Sequence, residues 1–124
     1  MNFPENLLYT KDHEWILFEE NYALIGITDF AQHELGDIVF LDIPSLGQVI
    51  EKETVFGTIE AVKTVSDLYM PIAGKVIEIN ELLINQPELI NQKPYESWII
   101  KAQLNIPNDR SHLITSVEYS KMVQ

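Results

Sequence analysis

The 124-residue chain carries 8 basic and 19 acidic side chains, a formal charge of -11, which repels phosphate backbones and anionic lipid and argues against nucleic-acid or membrane binding. Residues 1–124 are enough for one domain around one core. With no cysteine there is no disulfide framework, thiolate metal site or cysteine nucleophile, so any redox chemistry must be imported.

Met1-Asn2-Phe3-Pro4-Glu5-Asn6 lacks the basic start and apolar run of a signal peptide and the arginine-rich character of a transit peptide. The expected setting is the cytoplasm, or the mitochondrial matrix if a presequence is missing. After this polar lead-in, Trp15 to Glu19 and Tyr22 to Ile27 read as a hairpin turning near Glu20-Asn21. Thr28 or Asp29 can cap a short helix that Gly36 ends. Asp37 to Ile43 is a further strand, closed by Pro44, and Gln48 to Ile50 a short one.

Past the segment 55–70, Pro71 and Gly74 mark a turn, and Lys75 to Ile79 alternates as a half-buried strand should. Glu81 to Ile84 and Pro87 to Ile90 suggest two helical turns, with Pro87 at a first helical position. Trp98 to Leu104 is the last strand. Asp109 to Met122 reads as a C-terminal helix whose Leu113, Ile114, Val117 and Tyr119 would pack inward. Trp15, Trp98, Phe40, Phe56, Tyr69 and Tyr95 are core candidates. Many short strands with turn signals between them indicate an all-β sandwich or barrel with short helices.

Val55 to Val62 and Thr64 to Met70 are the densest β-branched and aromatic runs, and they must reverse at Lys63. With Val62 and Lys63 at the centre of a two-residue turn, Ala61 faces Thr64, Glu60 faces Val65 and Thr58 faces Asp67. Such turns usually use Asn-Gly or a relative, which makes positive φ cheap; none stands here. The tip therefore reads as chosen for its side chain, with Lys63 pointing away from the body. By position alone an exposed lysine is ordinary.

Two other patterns fail. His13-Glu14 starts like a zinc-protease helix, but Leu17 stands where the second histidine is needed, and Gly74-Lys75 is followed by Val76 where a phosphate loop needs Ser or Thr.

The segment Gly57 to Asp67, with Glu60 three residues before Lys63 and Ser66-Asp67 after it, resembles the lipoyl-lysine motif of the H-protein family of the glycine cleavage system. The likeness extends through Tyr9-Thr10-Lys11-Asp12-His13-Glu14-Trp15, Gly26-Ile27-Thr28-Asp29, Ala31-Gln32 and Leu35 to Phe40. It continues in Pro71, Gly74-Lys75-Val76, Pro87-Glu88-Leu89, Asn91 and Pro94-Tyr95, and so covers nearly the whole chain. Ala61 and Thr64 depart from the family's usual serine and alanine, and Ser97 from its usual glycine, which leaves partner specificity less defined.

The resemblance implies a lipoyl-domain-like barrel-sandwich of two small antiparallel sheets with a C-terminal helix. It implies lipoate bound covalently as lipoyl-lysine at Lys63, placed there by a lipoate-attaching enzyme. It further implies a non-catalytic shuttle that takes an aminomethyl group from the decarboxylating P-protein to the T-protein and is reoxidised by the L-protein. A labile, cationic aminomethyl group would benefit from an acidic groove, for which Glu14 and Asp67 are candidates, with ordinary solvated carboxylates as the plainer reading. Glu60 either steers the attaching enzyme or keeps the strand soluble. Alternatives are a biotinyl carrier, since Glu60-Ala61-Val62-Lys63 resembles the biotinyl Glu-Ala-Met-Lys, a lipoyl carrier or donor for another multienzyme complex, and an unmodified interaction protein of the same fold.

Overall fold

The computed structural model describes residues 1–105 and 107–124. Strands β1 (Leu8–Tyr9), β2 (Glu14–Phe18) and β3 (Tyr22–Ile27) lead into helix α1 (Asp29–Leu35), then β4 (Ile38–Asp42), β5 (Val49–Ile50), β6 (Val55–Ala61), β7 (Val65–Tyr69) and β8 (Gly74–Ile79). Helices α2 (Glu81–Asn85) and α3 (Leu89–Gln92), strand β9 (Ile100–Leu104) and helix α4 (Ser116–Met122) complete the order. One sheet runs β1-β2-β3-β9-β8-β5 and the other β4-β6-β7, and every pairing is antiparallel. This is the expected all-β fold of two antiparallel sheets with short helices.

The period-2 pattern sends Ile16 and Ile25 of the larger sheet and Ile59 and Leu68 of the smaller into one core, closed below by Leu83 and Ile90 of α2 and α3. Each fully buried side chain of this size contributes about 1.5–3 kcal/mol of transfer free energy. The opposite face of β2 is covered too. There Trp15 joins Leu7, Tyr9 and Tyr119 in a second cluster, and the Trp15 indole donates to the Pro94 carbonyl at 3.0 Å. The separated sequence motifs around Trp15, Gly26 and Pro94-Tyr95 are thus one packing unit: a β-carbon on Gly26 would lie 2.5 Å from the Trp15 ring.

The first hairpin and α1 stand where the sequence puts them, with the Thr28 hydroxyl accepting from the Ala31 N–H and Gly36 ending the helix at φ 80°. The C-terminal helix is shorter than expected. It begins at Ser116, because Thr115 and Glu118 form a reciprocal capping box. Upstream, Asp109 accepts from the Ser111 backbone and hydroxyl in a local turn, and Ile114 pairs with Tyr9 through two 2.9 Å backbone bonds. Those bonds compete successfully with helix. On α4 itself Tyr119 is buried and Val117 is exposed, so Val117 does not pack inward.

Phe40, expected in the core, is 55% exposed. A register shift in β4 between Ile38 and Phe40 turns both Val39 and Phe40 outward. Trp98 precedes the last strand, which starts at Ile100. Pro87 is not the first residue of a helix: α3 opens two residues later, at Leu89, and the Pro87 carbonyl accepts from the Ile90 N–H in the turn that leads into it. The two-residue β1 was not expected at all: nothing in so short a stretch shows alternation.

Candidate functional site

Pairing of β6 with β7 sets Thr58 opposite Asp67, Ile59 opposite Ser66 and Glu60 opposite Val65, and the Ala61 N–H closes the turn on the Thr64 carbonyl at 2.8 Å. The register is the one the sequence suggested. His13 and Glu53 are the non-glycine residues with positive φ among those described, so Val62 and Lys63 turn without entering the left-handed region. The missing Asn-Gly is explained by an outside tether: the Val62 N–H donates to the Asp37 carbonyl at 2.9 Å. This ties the tip to the chain just beyond α1.

Lys63 is exposed and forms no ion pair among the described residues. Its stem leans on Gly36 rather than standing straight out. A β-carbon there would come within 3.1 Å of Lys63 Cε and 3.5 Å of Nζ. Glu60 is exposed on the outer face of the smaller sheet, between Phe40 and Val65.

Beside the hairpin lies a cavity of ≈ 350 Å³. Glu14 and Asp67 both line it, together with His13, Phe30, Glu34 and Ser66. The structure therefore brings Glu14 and Asp67 into one wall and leaves Glu60 outside it. Phe30, Ala31, Glu34 and Leu35 of α1 form the opposite wall. The sequence reading missed them, although their i, i+4 spacing (Phe30 with Glu34, Ala31 with Leu35) marks one helix face.

Glu14 is only 2% exposed. One carboxylate oxygen accepts from the Tyr69 N–H at 2.9 Å, which satisfies a backbone donor on the edge strand β7. The other is 3.4 Å from the Thr10 hydroxyl, a longer contact. Burial pushes this carboxyl well above the ordinary range, with a smaller contribution from Asp12; the Tyr69 and Thr10 bonds act the other way without cancelling it.

His13 enters the same wall with φ 65°, a left-handed conformation in which histidine is among the better tolerated residues. Its Nδ1 lies 2.9 Å from the Tyr119 hydroxyl, and that hydroxyl lies 2.7 Å from Thr28 Oγ1. Counting hydrogens orders the chain. Thr28 Oγ1 already accepts from the Ala31 N–H, and the Tyr119 oxygen is its one acceptor among the described residues. So Thr28 donates to Tyr119 and Tyr119 donates to His13 Nδ1, which leaves the proton of a neutral imidazole on Nε2. Burial also lowers the His13 pKa, against the pull of Asp12 and Glu34. A tyrosine of the C-terminal helix thus fixes a side chain of the cavity wall.

An exposed lysine at a tethered turn, next to a cavity combining apolar walls with a buried carboxyl, suits an attached arm whose end needs shelter. Among the described residues there is no cluster of three metal-binding side chains. No helix is long and apolar enough to cross a membrane among the described residues.

The family described as glycine cleavage H-protein matches residues 7–124. Glycine cleavage system H proteins of Bacillus cereus AH820 and Bacillus anthracis A0248 are 49% identical over 123 residues, covering 98% of this chain and 97% of theirs. A crystal structure of a glycine cleavage system H protein from Mycobacterium marinum superposes with a TM-score of 0.88 at 32% identity, covering 97% of this chain and 98% of that one. The chain belongs to the glycine cleavage H-protein family, the lipoate-bearing, non-catalytic shuttle subunits of the glycine cleavage system.

Proposed function

We propose that Lys63 is the lipoyl-attachment residue and that the adjoining cavity, through Glu14 and Asp67, shelters the aminomethyl cargo between the P-protein and the T-protein. The observation that carries the reading is the exposed Lys63 turn beside a cavity with a buried carboxyl in its wall. The exposed ammonium of Lys63 must lose its proton before its Nζ can form an amide with an activated lipoyl carboxyl, whose activating group leaves; a separate lipoate-attaching enzyme supplies that chemistry. Once attached, the dithiolane supplies a two-electron disulfide that thiol exchange can open and re-form, which a cysteine-free chain lacks.

The chain's own contribution is placement and protection. The Val62–Asp37 tether fixes the tip, and the lysine stem keeps its mobility, so one attached group reaches the active sites of the P-, T- and L-proteins in turn. A cationic amine entering the cavity favours the ionised form of Glu14, repaying part of the burial cost that holds its pKa up. Asp67, on β7 across the ladder from Thr58, adds a second carboxylate to the same wall. Glu60 faces solvent two positions before the turn, where an attaching enzyme can read it. The acidic surface and the absence of a spanning helix among the described residues suit a protein working in the cytoplasm or matrix.

Reconstituted glycine cleavage tests the reading. Glu14→Ala and Asp67→Ala should be lipoylated normally yet release their aminomethyl cargo to hydrolysis sooner, and Lys63→Arg should be inert with all three enzymes. Unchanged cargo lifetimes in both alanine variants would remove the two carboxylates from the role.

A further inference from the structure

A second and larger depression, ≈ 630 Å³, opens beside the hairpin tip. It lies between the start of β4 and α3 and shares no lining residue with the acidic cavity. Its apolar part is Val39 and Val62, 48% and 75% exposed, with Pro87 beside them. Its charged part is Asp37 and Glu88, both exposed, and no basic side chain lines it among the described residues.

The walls are held in place. Asn91 of α3 accepts from the Ile38 N–H at 2.9 Å and donates to the Gln32 side chain and the Gly36 carbonyl, each at 2.9 Å. One side chain thereby pins α3 to α1 and β4. The opposite wall is the tethered Val62, bonded to the Asp37 carbonyl. A groove whose walls are locked by such bonds costs little ordering when a partner enters.

We infer that this groove is the docking surface of the enzyme that acylates Lys63, which would seat an apolar side chain over Val39 and Val62 and basic side chains against Asp37 and Glu88. The inference rests on the reading of Lys63 as the attachment site. Two features select this occupant. Charge is the first: two carboxylates without a compensating cation, on a chain of net charge -11, complement a basic surface and repel an acidic one. Reach is the second. The unmodified amine sits against Gly36, between Leu35 of the acidic cavity and Asp37 of this groove, and next in sequence to Val62, so an enzyme acting on Nζ works within reach of this groove. An enzyme that uses the far end of a completed arm acts on the dithiolane and not on Nζ.

The test uses the unmodified full chain, the purified lipoate-attaching enzyme and its activated lipoyl donor, with lipoylation followed by intact mass. Glu88→Lys alters an exposed side chain that makes no hydrogen bond among the described residues, and Val39→Asp puts a charge on the apolar floor. Each should lower kcat/KM for lipoylation about tenfold, through KM. The wild-type rate should fall with added salt more steeply than that of Glu88→Lys. Both variants, once driven to full lipoylation, should serve the P-protein at the wild-type rate.

Wild-type lipoylation kinetics in both folded variants, checked by their melting temperatures, would overturn the inference. An equal loss in the P-protein assay would do so as well, since the groove would then serve another enzyme. Absence of the label from wild-type Lys63 would instead sink the attachment reading itself, so the two failures are distinct.

Discussion

Replacing Glu14 by glutamine in the unmodified protein should change how stability depends on pH more than it changes stability itself. The side chain is buried and its folded-state pKa is raised, chiefly by that burial. Between its unfolded and folded pKa values the native chain therefore binds more protons at this site than the unfolded chain does. Stability in that window falls as pH rises, by about 1.4 kcal/mol per pH unit for one group. Below the unfolded pKa the carboxyl is neutral in both states and costs nothing of this kind.

Glutamine keeps a carbonyl oxygen for the Tyr69 N–H and cannot ionise. At acid pH the exchange should cost under about 1 kcal/mol, the scale of one rearranged hydrogen bond. As pH rises the wild type loses stability at this site while Glu14→Gln does not, so the variant overtakes it by neutral pH. Glu14→Ala also removes the ionisation but strands the Tyr69 N–H, at about 1–3 kcal/mol. Urea unfolding from pH 4 to pH 8 reads all three proteins, and subtracting the curves cancels the repulsion of the other acidic groups. A wild-type minus glutamine difference that stays constant across that range would refute the argument that burial controls this carboxyl.

Tyr119→Phe should cost about 1–3 kcal/mol by leaving His13 Nδ1 and the Thr28 hydroxyl without their shared partner; a thermal scan showing no fall in Tm would contradict the ordered chain. His13 should titrate below an ordinary histidine by proton NMR. Since its folded pKa is lowered, the stability it contributes is full above the unfolded value and is lost as pH falls through the folded one. Gly57→Ala should destabilise the hairpin by about 1–3 kcal/mol, because its β-carbon would lie 2.5 Å from Ile43 Cδ1 and 2.6 Å from the Asp42 carbonyl; a denaturation midpoint equal to the wild type's would show that β4 yields easily.

The parts of the fold legible in the sequence were those set by local rules. β-Branched density marked the hairpin, and period-2 geometry gave its register down to Glu60 against Val65. Thr28 and Gly36 bounded α1 by capping chemistry alone. What escaped was decided by distant partners. The Tyr9 backbone drew Ile114 out of the expected helix, and the irregular register of β4 exposed Phe40. The positive φ of His13 also falls here: its carbonyl bonds Thr28, on the far side of the first hairpin. The candidate site divides in the same way. Lys63 stands out in the sequence because the turn lacks its usual residues, whereas the α1 wall of the cavity becomes evident only when the helix is laid beside β7.

Peptide mapping by mass spectrometry of protein isolated from lipoate-fed cells, wild type beside Lys63→Arg, tests the attachment reading most directly. The account predicts one lipoyl group on the wild-type chain, located at residue 63, and none on the variant. A lipoyl group on another lysine, or a variant that still carries one, would contradict it.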